Sequence, residues 1–110
     1  MTTLVLETEP VAVRVRVGQD KLTVDLADGR SVAVPLAWYP RLDHGSVAER
    51  RNWRLLGGGY AIEWAELDEH IGIEGLLAGR RSGESQRSLR RWLAGRRRSR
   101  KSKRNSTRSA

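Results

Sequence analysis

Two histidines, His44 and His70, are the only imidazoles in a chain of 110 residues that has no cysteine. The absence of cysteine excludes a thiolate metal site and leaves these two imidazoles as the candidate side-chain nitrogen ligands. His70 and Glu74 are four apart, but Ile71, Gly72 and Ile73 between them read as strand, which separates the pair. Both histidines read as turn residues. No serine sits in the Gly-x-Ser-x-Gly elbow of a hydrolase nucleophile. Gly57-Gly58-Gly59 lacks the Gly-Lys-Ser/Thr ending of a phosphate cradle and reads as a tight connection from helix to strand. Glu63, Glu66, Asp68 and Glu69 are the carboxylates dense enough for an acid/base pair. One of them would have to be desolvated to donate a proton at neutral pH. Glu63 faces outward in the strand reading and the other three lie in a polar turn. The expectation is a protein without enzymatic activity, cofactor or metal.

The feature with physical force is charge. Residues 1–79 carry eight Lys/Arg and twelve Asp/Glu, a net of −4, whereas residues 80–110 carry thirteen Lys/Arg and one acid, Glu84, a net of +12. The overall +8 is therefore the sum of a mildly acidic body and a strongly basic end. Such asymmetry points to an attached interaction segment rather than a basic face on the fold. Arg87, Arg90 and Arg91 are followed by Arg96, Arg97, Arg98, Arg100, Lys101, Lys103, Arg104 and Arg108. Arg dominates, which suits phosphate because the guanidinium fork bonds bidentately. If about five of these groups neutralised phosphates, log K would fall with log salt at a slope of roughly −4 to −5. The same charge would equally serve a protein partner, the acidic body of the same molecule, or solubility alone.

The elements that carry these residues follow from periodicity. Val11, Val13, Val15 and Val17 alternate with Ala12, Arg14 and Arg16; Leu22, Val24 and Leu26 alternate with Lys21, Thr23 and Asp25; Val32, Val34 and Leu36 continue the pattern. This is three antiparallel strands. Asp28-Gly29 suits a type I′ turn, and Pro35 ends the third strand or holds it at an edge. Ser46 and Glu49 have capping-box spacing for a helix from Val47, which the three glycines would end. Tyr60, Ile62 and Trp64 give a fourth strand, Glu66, Asp68 and Glu69 an acidic turn, and Ile71 and Ile73 a short fifth strand or its remnant. The fold class expected is α+β, an antiparallel β-β-β-α-β sheet with one covering helix. Residues 1–79 form this domain. Residues 80–94 form a short amphipathic basic helix, with Ser85 as N-cap, Leu89, Trp92 and Leu93 on one face, and Gly95 as its stop. Three apolar side chains offset only part of the entropy of ordering that helix, so it holds only if it docks. Residues 95–110 have, beyond Gly95, no apolar residue but the terminal Ala110, and read as a disordered tail.

Composition narrows the class further. Apolar residues make up 38% and aromatics 5%, with four Trp, two Tyr and no Phe. No apolar run reaches the roughly 20 residues of a membrane span. MTTLVLETEP has early acids and no basic n-region, so it does not read as a secretory signal. A cytoplasmic protein of one domain is expected.

Trp38-Tyr39-Pro40-Arg41-Leu42, Arg51-Asn52-Trp53-Arg54-Leu55, Gly57-Gly58-Gly59-Tyr60-Ala61-Ile62-Glu63-Trp64 and the run from Leu67 to Leu77 follow one another in an order and spacing that resembles the domain of unknown function 2442 family, over residues from about 11 to 80. The resemblance implies a small prokaryotic α+β domain with no assigned catalytic residue. It further implies an antitoxin-like role, with a small protein from a neighbouring gene as partner. The first function expected is thus a partner-binding module, with Trp38, Tyr39, Arg41 and Trp64 as contact residues, since aromatics and Arg anchor interfaces. Trp53 and Trp64 read more readily as filling a core without Phe. The alternative is a nucleic-acid-binding protein, contacting DNA or RNA through its Arg-rich end.

Overall fold

The computed structural model describes residues 10–109, with side chains through Ser99. The leader reading of residues 1–9 lies outside the described residues. Strands β1 (Ala12–Val17), β2 (Lys21–Leu26) and β3 (Ser31–Pro35) form an antiparallel sheet in the order β1-β2-β3, with Val24 opposite Val15 and Val32. Period-2 alternation places Leu22, Val24 and Leu26 on the buried face. The register shifts between Ala12 and Arg14, so Ala12 and Val15 are both buried while Val13 is exposed. The β2–β3 connection is not the expected type I′ turn. Only Gly29 takes positive φ (+95°), while the Gly29 N–H donates to the Leu26 carbonyl and the Leu26 N–H to Arg30. This is a three-residue loop ending in a left-handed glycine. The Asp28 carboxylate accepts the Arg30 N–H.

The second half departs further from expectation. There are two sheets rather than one: β4 (Arg54–Leu56), β5 (Ala61–Trp64) and β6 (Glu69–Gly72) make a separate antiparallel sheet in the order β4-β5-β6. The helix from Val47 has its capping box, with Ser46 Oγ accepting from Glu49 N and Glu49 Oε1 from Ser46 N, but α2 (Val47–Arg51) is only five residues long. Arg54, Leu55 and Leu56, read as its last turn, pair with Glu63, Ile62 and Ala61. The three glycines accordingly form a hairpin turn between β4 and β5, all at positive φ. Gly59 is irreplaceable on two counts: its φ is +108°, and an added Cβ would lie 2.4 Å from the Ala12 carbonyl oxygen. That contact, with the Ala12 N–H donating to Gly59 O at 2.8 Å, ties the second sheet to the first.

One core joins both sheets. Leu22, Val24, Leu36, Leu42, Ile62, Trp64, Leu67 and Ile73 are fully enclosed, and the Trp64 Nε1–H donates to the Arg50 carbonyl at 2.9 Å. Short helices α1 (Pro40–Asp43) and α3 (Ile73–Leu77) contribute Leu42, Ile73 and Leu76. After α3 the chain crosses back, where Tyr39 Oη donates to Arg80 O and Ser82 N–H to Trp38 O. It then enters α4 (Gln86–Ser109), 24 residues long. The backbone stays helical through Gly95, so neither the expected stop nor the disordered segment beyond it is observed. An isolated interior glycine costs only about 1 kcal/mol, while Arg and Lys are good helix formers. Among the described residues no helix is long and apolar enough to cross a membrane.

Candidate nucleic-acid interface

The face of α4 that meets the body is built around one indole. Trp92 is half-buried against the core, with the Arg41 guanidinium 5.1 Å from its ring centroid and that of Arg96 at 4.6 Å. A cation over an indole face is held by the ring quadrupole. Each guanidinium is also neutralised from the side. Arg41 Nε donates to both Glu84 carboxylate oxygens at 2.9 and 3.0 Å, and Arg41 also donates to the Asp68 carbonyl and carboxylate at 3.0 Å. Arg96 grips Glu49 bidentately at 3.0 and 2.8 Å. The Arg96 hydrogen bonds hold the Glu49 carboxyl down at about 2, and the Arg41 hydrogen bonds likewise lower Glu84. Glu84 further accepts Ser88 Oγ–H, and Ser85 Oγ accepts the Ser88 N–H, so the first turn of α4 is capped and charge-matched.

An open cleft of about 570 Å³ lies beside this joint, lined by Arg41, Asp68, Glu69, Glu84, Ser85 and Ser88 among others. Three carboxylates surround one engaged guanidinium, so the cleft does not suit an anion. Burial pushes the Glu69 carboxyl up, which is a cost of its position in β6 rather than in the polar turn expected for it. His44 and His70 are exposed, and among the described residues no group of three or more His, Asp or Glu is placed to hold a metal.

The sequence-derived contact residues fall into two groups. Trp64 is fully buried, Tyr39 is 4% exposed, and Arg41 is engaged as described. Trp38 is half-buried in the turn after β3, with the Arg81 guanidinium 4.7 Å over its ring. All four are used within the fold. On α4, Arg96 is likewise used internally, whereas Arg87, Arg90, Arg91, Arg97 and Arg98 are exposed and make no ion pair among the described residues. Arg100, Lys101, Lys103 and Arg104 lie on the last turns of α4, with side chains outside the described residues. The partners that sequence reasoning missed are Glu49, Asp68 and Glu84. For Glu84 a signal existed, since it is the one acid of the basic segment.

The family model described as "Protein of unknown function (DUF2442)" matches residues 12–82. A crystal structure of a protein of unknown function from Rhodospirillum rubrum is similar at 28% identity and a TM-score of 0.62, covering 72% of this chain and 98% of that one. No curated protein matches. The α4 helix begins after the family match ends, and more than a quarter of the chain has no counterpart in the Rhodospirillum structure. With nearly two thirds of its length matched, the chain belongs to the DUF2442 family.

Proposed function

We propose that the protein binds nucleic acid through the outward face of α4, with the DUF2442 domain as the platform that holds the helix. The observation that carries this reading is the division of arginines on α4. Arg96 is spent on attachment, while Arg87, Arg90, Arg91, Arg97 and Arg98 are exposed on a helix that contains no acid. Unpaired guanidinium groups on a fixed element are an electrostatic footprint for phosphates. In a fluorescence-anisotropy titration against mixed-sequence DNA, log K should fall with log salt at a slope of roughly −4 to −5. Replacing those five arginines with Gln should remove most of the affinity and leave the melting temperature unchanged. Unaltered binding by that variant would count decisively against the reading.

A second reading rests on the extent of the family match. It stops at residue 82, so a role common to the family resides in the body rather than in α4. An antitoxin-like module that holds a small protein encoded nearby fits that division. After nuclease treatment, stoichiometric retention of such a protein by both the native chain and the five-Gln variant supports it; retention of nucleic acid alone, by the native chain alone, returns the function to α4.

A further inference from the structure

Resting on the nucleic-acid reading, we infer that the ligand of α4 is duplex DNA, and that the helix enters the major groove already formed. At 1.5 Å per residue, its 24 residues span about 36 Å with a diameter of about 10–12 Å. The major groove of B-DNA is about 12 Å wide and admits one helix. Along this rod the exposed cations recur at helical spacing. Arg87 is followed by Arg90 and Arg91, and a further turn and a half on by Arg97 and Arg98. Positions 101, 104 and 108, which are Lys, Arg and Arg, continue the same line of the helical backbone. A stripe of this kind meets phosphates on both walls of a groove. The opposite face, with Leu89, Trp92, Leu93 and Arg96, is turned to the body and half-buried.

The alternatives lack what they would need. Single strands are held by bases stacking on aromatic platforms. The one aromatic of α4, Trp92, already has the Arg41 and Arg96 guanidinium groups over its ring, and Trp38 has that of Arg81. Duplex RNA has a deep, narrow major groove that a helix does not enter. An anionic membrane surface would need apolar side chains beside the cations, and the exposed positions of α4 through Ser99 are Gln, Arg and Ser.

The test uses the full chain and four probes: a DNA duplex of roughly 20 base pairs, longer than α4, the matching single strand, the same duplex as RNA, and vesicles containing phosphatidylserine. Duplex DNA should bind about tenfold or more tightly than the other three. Ser99→Pro keeps every charge but removes a helical hydrogen bond and clashes one turn back. It should reduce duplex affinity by about tenfold while leaving single-strand binding unchanged, with Ser99→Ala as the neutral control. Equal affinity for single strand or RNA, or an unaffected Ser99→Pro variant, would overturn the duplex inference and leave the broader reading intact. Binding to none of the nucleic acids, or to vesicles alone, would overturn both.

Discussion

The body and α4 are held by different physics. In the body, fifteen buried apolar side chains among the described residues, from Ala12 to Leu76, share one core that both sheets and three short helices close. Its stabilisation is non-directional and is not weakened by ionic screening. The attachment of α4 adds to the part-burial of Trp92 two guanidinium groups over its indole, each paired with a carboxylate. Those terms are directional and screened by ions. The core and the cationic helix thus meet at Trp92 through contacts of two different kinds.

The contrast is broken most forcefully from the body's side. Trp64 is the largest fully buried side chain and its indole N–H reaches the Arg50 carbonyl. Trp64→Ala should cost about 3–5 kcal/mol, a large share of a small domain's stability, and should lower the thermal midpoint of the whole molecule. Trp92→Ala should cost about 2 kcal/mol, and the loss should be local. Amides of residues 86–98 would exchange with deuterium much faster, while those of β2 and β5 stay protected. Loss of protection in the strands as well would show that the joint and the core are one cooperative unit.

What the sequence disclosed follows the same boundary. The strands β1 to β3 were legible because one buried face imposes a period of two on Leu22, Val24 and Leu26, a local signal. The capping box at Ser46 and Glu49 was legible for the same reason. Strand β4 was hidden because three residues, Arg54, Leu55 and Leu56, carry no period and follow directly on α2. Its partner β5 identifies it only once Gly57 to Gly59 are known to turn as a hairpin. The joint was least legible of all. Trp92 could be seen as an apolar anchor, but Arg41 lies 43 residues before the Glu84 it grips and Glu49 lies 47 before Arg96. Spacing says nothing about such pairs. Tyr39, expected to contact a partner, is instead buried, with its hydroxyl donating to the Arg80 carbonyl; Tyr39→Ala should therefore destabilise the fold directly.

Acid sharpens the comparison at the next level down. Glu49 is held at about 2, below its ordinary 4.5, because Arg96 favours the carboxylate. Its contribution is complete above that ordinary value and is lost as pH falls toward 2. Glu84 is shifted in the same direction by Arg41. Glu69 in the body has the opposite sign: burial raises it, so protonation on acidification relieves a cost. Lowering pH from 6 should accordingly release α4 before the strands unfold, followed as movement of the Trp92 indole resonance ahead of amide signals from β2. Glu49→Gln should reproduce the release at neutral pH at a cost of about 1 kcal/mol. Gln retains the acceptor for the Ser46 N–H, so the cap of α2 survives. Release only together with the core would make the joint dispensable to this picture.

The smallest effects on stability carry the sharpest distinction, because they separate two arginines five residues apart on one helix. Arg91 is exposed and unpaired among the described residues; Arg96 is bonded to Glu49 and stacked on Trp92. Arg91→Gln should leave the thermal midpoint within an equivalent of about 0.5 kcal/mol and reduce the salt slope of DNA binding by about 1. Arg96→Gln should do the reverse in stability, costing about 1 kcal/mol because Glu49 loses its partner. Its effect on DNA binding would come through a helix no longer held in place, so the salt slope should stay near that of the native chain while affinity falls at every salt concentration. A slope that drops by the same amount for both would mean that Arg96 leaves Glu49 for a phosphate, and that the joint opens when nucleic acid binds.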